Sequence, residues 1–558
     1  MRATGPVRAA RAAGVLLLSA GVAWGAQEWD PDTGQGVLAA PLPWTPVSET
    51  IVCPGPETLP VPEGGSPVRP AGPVVVGALA VPDGQEGGQE DSAPVNPASL
   101  SDLDGGGAVD LPRSGSGAGL LVSQRTGAGA VRLLSRGRTG TGGNGRAPVV
   151  AATQLTLART GELRGLAGSG CAVPAADQWL VGGGTTVGRR ARLLLANATA
   201  APVTVDVTVH GPSGPVETAS GDSVVVGPGR LRALFVDALA PDLGAMAVHV
   251  RTHGGKVAAV LHDSLLRGVI AGGVDDVVAG SPPALRQLVP GISLEVPSGA
   301  SARQPELPRD PRDPGAAAVR IVVPGRQDAV VRVRLSGSGG ETVLPGGGVT
   351  TVRAGTSVDL PLTGVPRGVY TAVVESDVPV AAGALVGRAR TGSERALEPA
   401  PPPGTPAAEI AWAPSAVPLH GSAAAALPAP TVPGRGAVRP SARLSLMAPR
   451  GRARVRVVPW GRGGVRERDM SVDVPAGTTV SVPVHEGVTG VSLGVDQRGG
   501  RVVGALVLTV GDSAGELVSV IGVRPDRPAG ARPPEVLQDP ALGVGGATAG
   551  PRDQVSDR

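Results

Sequence analysis

The sequence contains few aromatic residues and almost no lysine. Its 558 residues include one Phe, one Tyr and six Trp, and Lys256 is the single lysine. The chain therefore has no interleaved aromatic platforms on which nucleic-acid bases could stack. It also has few aromatic rings that could hold sugars beside a pair of catalytic carboxylates, which argues against a glycosidase. Any core must be built from Val, Leu and Ala, and Val favours pleated strands because its branched Cβ is stiff.

An excess of charge of one sign is also missing. The 50 Lys and Arg residues nearly balance 47 Asp and Glu residues, the net charge is +3, and the arginines are dispersed along the chain. A nucleic-acid-binding surface needs clustered basic residues, so we predict no nucleic-acid partner. The preference for Arg over Lys indicates a bacterium with a GC-rich genome.

The N-terminus has the pattern of an export signal. Arg2, Arg8 and Arg11 precede a short apolar run at 14–23, and small residues allow cleavage after Gly25. This arrangement is typical of a secretory signal, and the run is shorter than the ~20 apolar residues that span a bilayer. We predict a secreted or cell-envelope-associated protein. An uncleaved leader that anchors the chain in the membrane is the alternative.

The sequence has only two cysteines, Cys53 and Cys171. Export would place both in an oxidising compartment, where such a pair usually forms a disulfide. The chain-entropy model gives a loop of this size about 4–5 kcal/mol of stabilisation. Two inert buried thiols or a metal pair are the alternatives. Neither cysteine has a CxxC partner or a nearby histidine, which disfavours a metal.

Composition divides the chain into segments. Proline, glycine and acidic residues mark the connections, and valine-rich runs mark the strands. The predicted segments are a signal peptide (1–25), a linker (26–50), an N-terminal β region (51–175) with a flexible insertion (82–119), β-sandwich repeat 1 (176–290), β-sandwich repeat 2 (291–394), a Pro/Ala-rich linker (395–440), β-sandwich repeat 3 (441–523) and a disordered tail (524–558).

The three predicted repeats share one strand pattern. Their first strands are VTVDVTVHG (203–211), VVRVRLSGSGG (330–340) and ARVRVVPWGRGG (453–464). A central glycine recurs at Gly229, Gly355 and Gly477. Valine alternates with polar residues, which indicates strands with one buried and one solvated face. The sequence therefore predicts an all-β fold of tandem Ig-like β-sandwich domains. An open or barrel-like arrangement of the same strands is the alternative.

The glycine-rich stretch GGGTTVGRR resembles a phosphate-binding loop only superficially. Such a loop needs Lys and then Ser or Thr after its second glycine, followed by a helix. Here Arg189 and Arg190 occupy these positions, and the apolar run RLLLAN follows them. With no helix N-terminus to hold an anion, we predict a turn between two strands.

The other polar motifs also lack a catalytic context. His262 follows an apolar run, and we predict a hydrogen bond at the end of a strand. The spacing of His249 and His253 suits a helix face rather than a strand, so they do not predict zinc. Asp275 and Asp276 lack the aromatic cleft of a glycosidase. Asn197 begins a glycosylation sequon, which carries little weight in a bacterium. The sequence thus predicts no catalytic, cofactor-binding or metal-binding residues.

A combination of motifs in residues 53–216 resembles a known family. The resemblance rests on Cys53-Pro54-Gly55-Pro56, Gln154, Arg164-Gly165-Leu166-Ala167, Cys171, and Trp179 to Gly183 with the LLLAN strand and the run ending in HGPSG. Together these motifs are similar to "domain of unknown function 5719", an actinobacterial secreted family, over roughly residues 50–523. The resemblance implies an exported envelope protein with paired cysteines, and it supplies no catalytic residue.

These observations predict an exported, non-enzymatic structural or scaffolding protein of the actinobacterial envelope. The expected partners are cell-wall glycan or envelope proteins. A module that binds cell-wall polysaccharide is the alternative, with Trp412 and Trp460 as candidate platforms if they are exposed. An enzyme with residues gathered from distant parts of the sequence is the third possibility.

Overall fold

The computed structural model describes the strands and their main connections. It covers residues 49–56, 74–81, 98–112, 118–125, 129–135, 149–216, 221, 223–268, 270–294, 317–389, 407–419, 421–432, 436–496, 499–512 and 515–525. The predicted signal peptide, nearly all of the first linker and most of the C-terminal tail lie outside these residues. None of the helices in the covered ranges is long and apolar enough to cross a membrane.

The first β-sandwich, module 1, comes from the predicted N-terminal β region. Its two antiparallel sheets have the strand orders β4-β3-β6-β1 and β5-β2-β7-β8. Its strands are β1 (Glu49–Cys53), β2 (Val74–Val81), β3 (Ala98–Asp102), β4 (Val109–Asp110), β5 (Gly119–Arg125), β6 (Val131–Ser135), β7 (Val149–Ala158) and β8 (Gly165–Gly170).

Module 2 repeats this order with one additional strand. Its sheets are β12-β11-β15-β9, with β13 also on β11, and β14-β10-β16-β17. Its elements are β9 (Asp177–Val181), β10 (Arg189–Asn197), β11 (Val203–Gly211), β12 (Gly214–Val216), β13 (Val224–Val226), β14 (Arg230–Phe235), the one-turn helix α1 (Val236–Leu239), β15 (Ala247–His253), β16 (Ala258–Arg267) and β17 (Ile270–Val278).

Module 3 has the same order, but one long strand passes through both sheets. The first half of this strand, β24, pairs with β18 and β20, and its second half pairs with β19 and β25. The strands are β18 (Ala284–Leu294), β19 (Ala318–Val322), β20 (Ala329–Gly337), β21 (Gly340–Val343), β22 (Val349–Val352), β23 (Ser357–Pro361), β24 (Gly368–Ala389) and β25 (Ala407–Pro414).

Module 4 ends the described chain. Its sheets are β31-β30-β33-β26-β36 and β32-β29-β34-β35, with a small β27-β28 hairpin. Its elements are β26 (Ser422–Ala426), β27 (Thr431–Val432), β28 (Gly436–Ala437), β29 (Ser441–Arg450), β30 (Ala453–Trp460), a 3-10 turn (Arg462–Gly464), β31 (Met470–Val474), β32 (Thr479–Val484), β33 (Gly490–Val495), β34 (Arg501–Asp512), β35 (Gly515–Gly522) and β36 (Arg524–Pro525).

The prediction of an all-β fold of sandwich domains is confirmed. On β11, for example, Val203, Val205 and Val207 are buried, whereas the intervening Thr204 and Asp206 are partly exposed. The recurring Gly229, Gly355 and Gly477 have φ values of 63°, 74° and 70°. All three lie in turns that lead into equivalent strands, β14, β23 and β32, where a left-handed conformation favours glycine.

Several segment boundaries differ from the predicted ones. The predicted linker 395–440 contains β25 and β26, which pair with β24 and β33. The predicted flexible insertion 82–119 contains β3 and β4. Strand β18 falls mainly in predicted repeat 1 but pairs within module 3, and β36 lies in the predicted tail. Strands β3, β25 and β26 are rich in Ala or Ser instead of Val, so their composition is that of a connection.

Four small apolar clusters join the modules in a closed cycle. Each contains side chains from one module and from the next, and the fourth joins module 4 back to module 1. Modules 1 and 2 share a cluster of Val52 and Ala172 with Ala258 and Val260, and modules 2 and 3 share one of Trp179 and Val181 with Val322 and Ala381. Modules 3 and 4 share a cluster of Leu288 and Val373 with Met447 and Val503. Modules 4 and 1 share a cluster of Ala424 and Ala426 with Leu79 and Ala151. An ion pair between Arg524 and Glu49 also connects module 4 to module 1.

The predicted disulfide is confirmed. Cys53 on β1 and Cys171 just after β8 are bonded, with their Cα atoms 4.5 Å apart. Val52 also forms a backbone bridge with Ala172. The disulfide thus ties the first strand of module 1 to the end of its last strand.

Candidate functional site

The last long strands of the four modules contact one another. We call these strands, β8, β17, β25 and β35, the hub. Within the hub, β17 and β35 each contact both β8 and β25. Each hub strand is the edge of its own sheet, so the amides on its free side need acceptors other than a neighbouring strand.

Small residues allow the hub strands to approach closely. A Cβ atom added at Gly165 on β8 would lie 2.6 Å from Val274 Cγ1 on β17. A Cβ atom added at Gly273 on β17 would lie 2.4 Å from the backbone nitrogen of Ile410 on β25. Both distances are shorter than any normal contact, so glycine is required at these two positions.

Glu409 on β25 accepts hydrogen bonds from two other modules. The Leu166 amide of β8 donates to Oε2 at 3.0 Å, and the Val274 amide of β17 donates to Oε1 at 3.0 Å. The amide of Ile410 also donates to Oε1, at 3.1 Å. One carboxyl group therefore provides acceptors for the free edges of two neighbouring strands.

Asp275 on β17 has the same role toward three modules. Its Oδ1 accepts the Gly168 amide of β8 at 3.1 Å and the Ser519 hydroxyl of β35 at 3.1 Å. Its Oδ2 accepts the Trp412 amide of β25 at 2.6 Å. Asp275 and Glu409 together connect all four hub strands by side-chain hydrogen bonds.

Burial makes these two acids weak. It raises the pKa of Glu409 from its ordinary 4.5 to about 8, although the three amides that it accepts and the charge of Arg164 oppose the shift. Burial, and then the neighbouring charge of Asp276, raise the pKa of Asp275 well above its ordinary value. Desolvation of the ionised form is the physical cause in both cases.

Asp276 forms a second network on the other face of β17. His262 Nδ1 on β16 hydrogen-bonds to Oδ1, and Gln154 Nε2 and Ser169 Oγ donate to Oδ2 at 3.0 and 2.9 Å. Burial alone would raise the pKa of Asp276, but the charge of His262 and these hydrogen bonds outweigh it and lower the pKa.

This network borders a small cavity. Gln154 also exchanges two hydrogen bonds of 3.1 Å with the backbone of Gly55, just after Cys53. The cavity is lined by Gly55, Gln154, Thr156, Leu163, Gly165, Ala167, His262, Val274 and Asp276. Four of these residues, Gly55, Gln154, Gly165 and Ala167, belong to the motifs that carry the family resemblance.

The network does not match a serine-hydrolase relay. In such a relay the serine hydroxyl donates to the imidazole, and the carboxylate orients the imidazole from its other side. Here the Ser169 hydroxyl donates to the carboxylate of Asp276. Among the residues that the structure places, no three or more His, Cys, Asp or Glu side chains form a group that could hold a metal ion. The arrangement is suited to fixing strands to one another.

The prediction that His262 lies at the end of a strand is wrong. His262 lies in the middle of β16, at 2 % exposure, instead of at a strand end. Strand β16 extends beyond the apolar run through Asp263 and Ser264, whose side chains are buried. Sequence reasoning also missed Glu409, although a single Glu within the otherwise apolar stretch AAEIAWAP was an available signal.

The other two histidines of module 2 do not share a site. His249 Nε2 hydrogen-bonds to Asp177 at 3.1 Å and the ring stacks on Trp179. His253 Nε2 hydrogen-bonds to Asp206 at 2.8 Å. Each histidine thus has its own carboxylate.

The GGGTTVGRR stretch joins β9 to β10, as predicted. Arg189 forms a buried ion pair with Asp263, with Nη2 and Oδ2 2.6 Å apart. The indole Nε1 of Trp412 donates to the same oxygen at 2.8 Å. Arg190 faces solvent and pairs with Glu162 at 3.0 Å. Both arginines bind carboxylates of the protein.

Trp412 and Trp460 are not exposed platforms. They are 2 % and 5 % exposed, and Trp460 Nε1 donates to Ser492 at 2.9 Å. Asn197 of the sequon is fully buried, and its amide donates to the backbone of Ala201 and Val226. Its side chain supports a turn and is not accessible for modification.

Arg320 of module 3 inserts into module 2. Its guanidinium donates to the backbone oxygens of Gly183, Met246 and Gly244 and to Asp359. It also lies over the ring of Trp412, 4.9 Å from the centroid. The side chain is 1 % exposed, so it connects two modules through a buried charge.

We expect Arg320→Met to lower the free energy of unfolding by about 2–4 kcal/mol, because buried carbonyl oxygens of module 2 lose their donor. Arg332→Met on the exposed face of β20 is the control and should change stability by less than about 0.5 kcal/mol. Urea denaturation of the full chain measures both. Equal effects of the two substitutions would contradict the assigned role of Arg320.

Comparison with known proteins identifies one family. The model of a family of unknown function, DUF5719, matches residues 122–485, which is more than half of the chain. No curated protein matches the sequence. No solved structure matches it either.

Proposed function

The chain belongs to the family of unknown function DUF5719, and we propose that it is an exported, non-enzymatic structural or scaffolding protein of the actinobacterial cell envelope. The observation that carries this proposal is that buried carboxyl groups are bound to backbone amides of the protein itself. Asp275 and Glu409 accept backbone amides from neighbouring modules. Groups committed in this way hold an assembly together and are not available to a substrate.

The disulfide supports the export part of the proposal. Disulfides form and persist in oxidising compartments, and Cys53–Cys171 links the two ends of module 1. In the native bacterium we expect the protein in the envelope or the medium, with an N-terminus that begins after Gly25. Cell fractionation with mass spectrometry of the N-terminus tests this. A cytosolic protein that retains residues 1–25 and free thiols would refute the proposal.

The non-enzymatic part is tested by complementation. In a strain lacking the gene, we expect His262→Gln to restore the wild-type phenotype wherever its protein level matches wild type. Ser264→Ala, on the same strand, is the control for packing. Loss of function by His262→Gln at normal protein level, with Ser264→Ala fully active, would instead favour an enzyme that uses the His262–Asp276 pair.

Binding of cell-wall polysaccharide remains the alternative proposal, with cell-wall glycan as the partner. Its two candidate platforms, Trp412 and Trp460, are buried, so a glycan would have to bind loops instead. Sedimentation with purified cell wall tests this directly. Retention of the protein by washed wall would favour this alternative over a scaffold that contacts envelope proteins.

A further inference from the structure

Glu409 and Asp275 are two buried acids of the described chain that accept hydrogen bonds from neighbouring modules. Both are fully buried, at 0 % exposure, and within the covered ranges neither forms an ion pair with an arginine or lysine. An ionised carboxylate in such a place is costly, and buried carboxyl groups without a counter-charge become neutral instead. Their oxygens nevertheless hold the amides that connect the four modules.

We propose that the hub is a proton-controlled joint: it is closed while Glu409 retains a proton, and it loosens in mildly alkaline solution. The geometry carries this inference. A neutral carboxyl group still accepts amide hydrogen bonds through its oxygen lone pairs. When Glu409 is ionised, a buried negative charge lies between β8, β17 and β25, whose amides it accepts, and the cost of its desolvation weakens the closed state.

The charged groups that surround the hub do not cancel this effect. Arg164, before β8, is engaged by Asp512 at the end of β34. Arg388 on β24 is engaged by Glu516 on β35. On β16 and β17, His262 is bound to Asp276, and Asp263 is bound to Arg189. The described basic groups around Glu409 and Asp275 therefore have carboxylates of their own, and the charge of Arg164 lowers the pKa of Glu409 by less than burial raises it.

The direction of the pH effect follows from linkage. The pKa of Glu409 is about 8 in the folded protein against an ordinary 4.5, so the folded state holds the proton more tightly than the unfolded state. The stabilisation is complete below the ordinary value and is lost as the pH rises toward 8, by up to about tenfold in the folding equilibrium per pH unit. The pKa of Asp276 is lowered, so the stability that Asp276 contributes is lost only in acid, as the pH falls.

The experiment is urea unfolding of the full chain between about pH 6 and pH 9. For the wild type we expect the folding equilibrium constant to fall by tenfold or more between pH 6 and pH 8. Glu409→Gln cannot titrate, so it should be less stable than wild type at pH 6 and should lose most of the slope. Asp469→Asn, a partly exposed carboxylate with arginine partners, is the control and should keep the wild-type slope.

Two direct measurements keep the proposal testable if Glu409→Gln fails to fold. In the wild type, infrared spectroscopy should detect a protonated carboxylic acid at pH 6 that disappears above about pH 8. Amide exchange of Leu166, Val274 and Trp412, corrected for the intrinsic rate, should accelerate over the same range more than exchange of Val207 in β11. A flat stability profile, or no protonated acid at pH 6, would overturn the proposal.

Discussion

Arg189→Met is expected to lower the free energy of unfolding by about 3–5 kcal/mol, the cost of breaking a buried ion pair by removing one partner. The Arg189 and Asp263 side chains are 1 % and 0 % exposed. Without the guanidinium, the Asp263 carboxylate would keep only donors such as the indole of Trp412 and could not reach water. Urea denaturation of the oxidised full chain measures the loss.

The adjacent residue provides a matched control. Arg190 on the same strand pairs with Glu162, and these side chains are 43 % and 50 % exposed. Exposed pairs contribute little, so Arg190→Met should cost less than about 0.5 kcal/mol. The double variant Arg189→Met/Asp263→Leu should recover much of the loss, because it removes the uncompensated charge. If Arg189→Met and Arg190→Met have equal effects, the buried pair is not a major stabilising contact.

Removal of the disulfide is expected to cost about 4 kcal/mol. Cys53 and Cys171 are 118 residues apart in sequence, and the chain-entropy model relates the stabilisation to the length of the closed loop. The loss should be concentrated in module 1, whose first strand would be held to the end of its last only by the backbone bridge between Val52 and Ala172.

The double variant Cys53→Ser/Cys171→Ser, compared with oxidised wild type, measures this loss. Reduced wild type serves as the control for the serine substitutions and should resemble the double variant. We also expect amides of β1 and β8 to lose protection before those of β29 in module 4. A double variant within about 1 kcal/mol of wild type would contradict a stabilising role for the disulfide.

The sandwich strands were predictable where valine alternates with polar residues. In β11 and β20 the alternation gives one buried face and one solvated face, as the sequence indicates. A period of two is a local property, and burial of one sheet face is enough to produce it. The glycine-rich turn between β9 and β10 was predicted from a different local signal, because Arg189 and Arg190 and an apolar strand-like run follow the glycines instead of Lys, Ser or Thr and a helix.

The alanine-rich strands could not be recognised in this way. Strand β26 is SAAAA, and its Ala424 and Ala426 pack against Leu79 and Ala151 of module 1. Small side chains are needed there because two sheets from distant parts of the chain meet closely. By composition alone such a strand has the features of a linker. Only its tertiary contacts distinguish the strand from a linker.

The hydrogen-bond partners within the hub also could not be predicted from the sequence. Asp275 and Asp276 are adjacent in the chain, but they point to opposite faces of β17 and join different networks. Asp275 reaches amides of β8 and β25, and Asp276 reaches Gln154 and His262. Most of these partners are about 100 or more residues from the two aspartates in sequence. Local residue spacing therefore cannot predict these contacts.

The central claim is that four β-sandwich modules close on one another around the hub. Equilibrium urea unfolding of the oxidised full chain at pH 6, followed by both far-ultraviolet circular dichroism and tryptophan fluorescence, tests it most directly. The circular dichroism reports all strands, and Trp179, Trp412 and Trp460 report modules 2, 3 and 4. We predict one cooperative transition with coincident midpoints for the two probes. Separate transitions, as expected for independent domains joined by linkers, would contradict the account.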